Sequence, residues 1–144
     1  MTQNPILLAG GVLSAGASLL HLAVIAGGPA WYRFFGAGEG LARMAEQGSV
    51  TPTLITIGIA LVLAVWAAYA FAGAGVIPRL PLMRTALILI SAVYLLRGLV
   101  LVPAFVMNGG AFEPFVLWSS VIVLIFGLAY AIGTWIAWPT LSGR

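Results

Sequence analysis

Arg97 stands in the stretch Tyr94-Leu95-Leu96-Arg97-Gly98, inside an apolar run from Thr85 to Phe105 that carries no other charge. A guanidinium stays protonated in proteins, so within apolar surroundings it needs an acceptor, water or a route to the surface. Its fork of donors suits a carboxylate, a phosphate, a quinone carbonyl or a lipid head group. The one histidine, His21, lies in another apolar run and is the side-chain type best suited to proton transfer near neutral pH. Thr56, Glu113, Trp118 and Ser119 add hydroxyls, a carboxylate and an aromatic wall, and Tyr94 precedes Arg97 by one helical turn on the same face. Three uses of this set compete. In the first, Arg97 and His21, with Tyr94, Thr56, Glu113, Trp118 and Ser119, bind the polar part of a lipid-like or other amphiphilic ligand. In the second, His21 is a general base, Glu113 an acid or orienter, and Arg97 stabilises an oxyanion on a lipid or isoprenoid substrate. In the third, the polar groups pair only with one another and fix helix register in a subunit of a larger membrane complex.

The elements that must carry these residues follow from composition. The chain has 144 residues, a length that predicts a single domain spanning 1–144. It is 62% hydrophobic and 6% charged, against about 25% charge in a soluble domain. Such a surface excludes a soluble enzyme, a disordered tail and a nucleic-acid module, and predicts an integral membrane protein. Four apolar stretches, at about 5–27, 53–73, 84–105 and 114–138, each approach the ~20 residues that cross ~30 Å of hydrocarbon as a helix. Continuous apolar runs lack the alternation of barrel strands. The expected fold is therefore all-α: a polytopic four-transmembrane-helix bundle. No Lys or Arg precedes Arg33, which disfavours a cleaved signal peptide and favours a retained first helix. Small residues at Gly10, Ser14 and Ser18, at Gly11 and Ala15, and at Ala60, Ala64, Ala68 and Ala72 mark the faces expected to pack.

Between the first two spans, 29–48 alternates aromatic and charged residues with Gly36, Gly38 and Gly40. It reads as a broken interfacial or re-entrant segment, with Trp31, Tyr32, Arg33 and Glu39 as a possible lid. The depths of His21, Thr53, Thr56, Arg97, Trp118, Ser119 and Ser120 along their spans put the polar residues in one half of the bilayer. The other half is expected to be apolar until Arg79 and Arg84. The six cations are all arginine and the three anions all glutamate, for a net charge of +3. Arg79, Arg84 and Arg144 fall on one side and Arg33 and Arg43 on the other, a bias that places both termini in the cytoplasm. With no cysteine, one histidine and scattered glutamates, the chain offers no metal ligand set, and no cofactor is expected. The GAGEG at 36–40 does not fit a dinucleotide fingerprint, having no strand before it. The expected partners are the bilayer, an amphiphilic small molecule or lipid, and a second copy or another membrane protein.

The stretch from His21 to Gly48, with Arg79-Leu80-Pro81-Leu82 and Tyr94-Leu95-Leu96-Arg97-Gly98, resembles a group of small bacterial four-helix membrane proteins with no assigned activity. That resemblance implies the four-helix fold and a bacterial inner membrane, and carries over no function or site residue.

Overall fold

A computed structural model describes residues 3–110 and 114–142, and in these the chain is all helix, with no strand. The helices run in the order α1 Pro5–Gly27, α2 Pro29–Phe34, α3 Glu39–Glu46, α4 Thr51–Gly73, α5 Met83–Leu99, α6 Leu101–Met107 and α7 Pro114–Ala137. Four stretches are long and apolar enough to cross a membrane: Pro5–Gly27, Thr51–Gly73, Met83–Met107 and Phe115–Ala137. The third is interrupted, because α5 closes at Leu99 and α6 opens at Leu101. Pro103 supplies the reason: it has no N–H for the carbonyl four residues earlier, that of Leu99, and its ring crowds that oxygen.

The chain divides into two compact units, Met1–Ser14 with Trp66–Arg144, and Ala15–Val65. In the first, Asn4 sets the start of α1. Its Oδ1 accepts the N–H groups of Ile6 and Leu7, each at 3.1 Å. That is an N-cap, followed by proline at the first helical position. The Nδ2 of the same side chain donates to the Gly133 carbonyl at 2.8 Å, tying α1 to α7. Backbones meet closely where side chains are absent. A Cβ on Gly98 would lie 2.9 Å from the Leu124 Cα, and one on Gly127 would lie 2.9 Å from the Leu95 nitrogen. This reciprocal pair joins α5 to α7 by the small-residue contact through which apolar helices gain dispersion energy.

At the centre of this unit three hydroxyls form a directed chain. Tyr130 donates to the Trp66 carbonyl at 3.0 Å. Its only proton is then committed, so Ser14 must donate to Tyr130 and Tyr94 to Ser14, both at 2.8 Å. The Tyr94 ring also meets Trp66, Phe126 and Tyr130 at centroid distances of 4.9, 5.5 and 5.3 Å, a tilted or edge-on packing favoured by aromatic quadrupoles. Asn4, Ser14, Ser91 and Thr134 are buried alongside Tyr130. The expectation of an apolar half around Arg79 and Arg84 is thus corrected. Polar atoms do lie there, with most of their hydrogen bonds closed inside the protein.

In the second unit, α2 and α3 form a small helical pair with its own core of Val24, Tyr32 and Ala42, packed by Phe35, Leu41 and Ala45. The break between them falls where Gly36 and Gly38 take φ of 72° and 98°, a region that costs an L-residue its Cβ clearance. Gly40, by contrast, lies within α3. Ser18 joins the long helices by donating to the Ala60 carbonyl at 2.7 Å. Along α4 the buried positions include Thr56, Ala60, Leu63, Ala67, Ala70 and Ala72, whereas Ala64 is exposed. The alanine ladder at every fourth residue is therefore packed only in part, buried at Ala60 and Ala72, half-buried at Ala68 and exposed at Ala64. Four residues advance the helix by about 400°, so such a ladder drifts around the surface, while alternating steps of three and four hold one side.

Three variants test this packing by thermal unfolding in detergent. Gly127→Val is expected to destabilise by about 1–3 kcal/mol through overpacking. Gly58→Ala, where an added Cβ meets nothing within 4 Å, is expected to be neutral or mildly stabilising. Ser14→Ala is expected to cost about 1–3 kcal/mol, because it leaves buried tyrosine hydroxyls short of a partner. An unchanged midpoint would show that the hydroxyl chain carries no stability.

Candidate functional site

Arg97 occupies the last turn of α5, immediately before the interruption that Pro103 causes. Carbonyls at a helix end lack intrahelical partners and carry partial negative charge, which favours a cation there. Its Nη1 donates to Ser120 Oγ on α7 at 3.1 Å. Ser120 is itself buried, but the arginine is exposed. The ion pairs among the described residues all lie within Arg33, Arg43, Glu39 and Glu46, and Arg97 takes part in none of them. A single hydroxyl therefore holds one branch of the guanidinium, and the side chain faces outward from the α5–α7 pair.

The other residues expected around Arg97 have varied placements. Tyr94 is buried and spends its proton on Ser14 rather than toward the arginine. Ser119 donates to the Val116 carbonyl at 3.0 Å, and Trp118 is 68% exposed. Glu113 lies outside the described residues. The hydroxyl that reaches Arg97 is thus that of Ser120, one position beyond the serine expected from the sequence. Successive helical residues point about 100° apart, so a one-residue shift selects another face.

His21 belongs to the second unit, on α1. Its Nδ1 lies 2.7 Å from the Ala17 carbonyl. A carbonyl only accepts, so Nδ1 carries the proton, and in neutral imidazole Nε2 keeps the basic lone pair. Thr56 donates to the Pro52 carbonyl at 2.7 Å and so receives its 3.2 Å bond from the Tyr32 hydroxyl. Tyr32 is thereby anchored beneath α2, at 2% exposure. Trp31, on the same short helix, remains 43% exposed.

Charge in the α2–α3 pair is organised around Arg33. Its Nε and Nη2 grip both oxygens of Glu39 at 2.8 and 2.9 Å, and Nη1 reaches Glu46 at 2.7 Å. Arg43 adds a 3.2 Å contact to Glu39. These charge-assisted hydrogen bonds, Arg33's first and Arg43's second, hold the Glu39 carboxyl down from its ordinary 4.5 to about 2. The Arg33 hydrogen bond also lowers Glu46. Because Glu39 is depressed on folding, its contribution is complete above about 4.5 and is lost as pH falls through about 2. Acidification across that window is expected to lower the amide protection factors in 39–46, the exchange rate being taken relative to that of an unstructured chain at the same pH. Arg33→Gln should reduce this pH dependence, leaving the smaller part due to Arg43, and equal protection factors in the two proteins at pH 7 and pH 3 would show that the Arg33 ion pairs do not order the segment.

Among the described residues no group of three histidine, aspartate or glutamate side chains could hold a metal. The sequence reading passed over Asn4 and took Ser14 only as a small residue on a packing face. The Asn-Pro pair at 4–5 did carry a signal, since asparagine before proline is a helix-start pattern, while nothing in the sequence singled out Ser14 over its neighbours. Comparison with protein-family models, curated proteins and solved structures returns no match.

Proposed function

We propose that this chain is a multi-pass membrane protein of the bacterial inner membrane that binds an amphiphilic ligand, with Arg97 as the fixed cation for the ligand's polar group. The supporting observation is the arginine itself: an exposed guanidinium on an apolar helix, bonded to Ser120 at 3.1 Å. A charge at mid-helix costs about 2.5–3.5 kcal/mol on insertion scales, which is why such residues are most often retained for binding or transport. Its position at the end of α5 lets the helix carbonyls offset part of that cost. The remaining donors of the fork can then meet a carboxylate, phosphate or carbonyl. Native mass spectrometry of gently extracted protein tests the reading. Wild type is expected to retain an amphiphile that Arg97→Met loses, while the variant unfolds at the same or a higher temperature. Identical retained molecules in both would discard it.

A second reading, membrane-enzyme activity, draws on His21. With Nδ1–H bonded to the Ala17 carbonyl, Nε2 has the acceptor character that a general base requires. His21→Ala would then abolish turnover of a lipid or isoprenoid substrate without lowering the unfolding midpoint, and retained turnover would remove His21 from that role.

In either reading the connection carrying Arg79 faces the cytoplasm, as the arginine bias favours. The chain has no cysteine, so single-cysteine variants report topology cleanly. A cysteine at 43 is expected to react with an impermeant maleimide in spheroplasts and one at 79 only after lysis; the opposite pattern reverses the orientation.

A further inference from the structure

At the other end of the α5–α7 pair from Arg97 lies an apolar groove of about 540 Å³ between the two helices. On α5 it is bounded by Ile88, Ser91, Ala92 and Leu95, on α7 by Ala131 and Thr134, and just past the end of α7 by Trp138. Two features are unusual for a plain packing defect. Thr134 is only 5% exposed, yet its Oγ1 finds no hydrogen-bond partner among the described residues. A buried threonine hydroxyl normally bonds, because an unmade bond costs its full desolvation. The second feature is the charge at the groove's end. Arg84, one turn before Ile88, stacks on Trp138 with its Cζ 4.3 Å from the ring centroid. It also donates to the Trp138 carbonyl at 3.0 Å and to Ser142 Oγ, while its buried Nε has no partner among the described residues. Beside it Arg79 donates to the Thr140 carbonyl. These two arginines line a second hollow of about 280 Å³ with Leu82, Met83 and Leu141.

The cationic hollow and the apolar groove have separate linings and are linked where Arg84, which lines the hollow, stacks on Trp138, which lines the groove. From Arg84 to Leu95 the stripe runs about 16 Å at ~1.5 Å per residue, close to half of the ~30 Å hydrocarbon thickness. One lipid has these dimensions and this polarity: phosphate at the surface, ester carbonyl just below it, acyl chain deeper. We infer that the α5–α7 pair holds one anionic glycerophospholipid, its phosphate at Arg79 and Arg84 and one acyl chain in the Ile88–Leu95 groove, where the Thr134 hydroxyl donates to an acyl ester carbonyl. Paired arginines at the cytoplasmic surface are a recognised electrostatic seat for such head groups, and Trp135 and Trp138 match the preference of indole for that level of the membrane. The inference rests on the membrane placement proposed above, and not on Arg97.

The test uses full-length protein, whose extraction only by detergent establishes the membrane placement separately. Delipidated protein is titrated with phosphatidylglycerol, with phosphatidylcholine and with inorganic phosphate, read by native mass spectrometry and unfolding midpoint. One phosphatidylglycerol is expected to bind and raise the midpoint, with phosphatidylcholine binding about fivefold more weakly. Phosphate alone should leave the midpoint unchanged. Arg84→Gln is expected to erase the preference between the two lipids. Thr134→Val, nearly isosteric, is expected to weaken both lipids equally while leaving the lipid-free midpoint the same or higher. Ala131→Phe, which fills the groove, is expected to abolish binding even if Arg84→Gln fails to fold. Equal affinity for the two lipids overturns the inference, as do stabilisation by phosphate alone, undiminished binding to Ala131→Phe, or a dimer that excludes lipid from the groove.

Discussion

A hydroxyl or guanidinium on a helix with apolar flanks has few places to send its hydrogen bonds. Leaving them unmade costs desolvation that nothing repays, so the polar atom must turn to its own helix or to a neighbour. That constraint orders most of this molecule. Ser14, Tyr94 and Tyr130 resolve it among themselves and pass the last proton to the Trp66 carbonyl. Ser18 resolves it on the Ala60 carbonyl, Asn4 on the Gly133 carbonyl, and Tyr32 on Thr56. Each of these bonds joins separate helices. Apolar contact alone discriminates poorly between registers when every face is leucine, valine or alanine, so the polar ties supply what greasy surfaces lack.

The same constraint separates structural polar groups from candidate binding groups. Where hydrogen bonds close, as in the tyrosine–serine chain, the residues are explained by packing. Where they do not, a polar group is left with bonding capacity that packing does not explain. Among the described residues of the α5–α7 pair such places are Arg97, with one hydroxyl against five available donors, and Arg84 Nε and Thr134 Oγ1, with none. Arg97 sits toward one end of the pair, and Arg84 and Thr134 toward the other.

The α2–α3 segment works differently because it is charged. Its ion pairs are exposed, and exposed pairs contribute little by themselves. The segment is held chiefly by Tyr32 and the Val24–Ala42 contact, while Arg33 gathers Glu39 and Glu46 across the glycine break. Burial therefore supplies the anchor, and charge selects which way the two short helices face.

Much of this was legible in the residues alone. Runs of apolar residues with almost no charge dictate helices, because only a helix satisfies its backbone bonds within one segment. Length against pitch then counts four long ones, and the glycines at 36 and 38 mark where a helical connector must break. Arg97 declared itself by being charged in such a run. What stayed hidden depends on rotation about helix axes. A one-residue step turns a side chain by about 100°, so Ser120 rather than Ser119 meets Arg97, and Leu63 rather than Ala64 faces inward, a choice that composition cannot encode. Nor could the sequence separate the serine that completes a hydrogen-bonded chain from the threonine left without a partner. That difference arises only when a second helix does, or does not, bring an acceptor within three ångströms, and the fold alone brings it there.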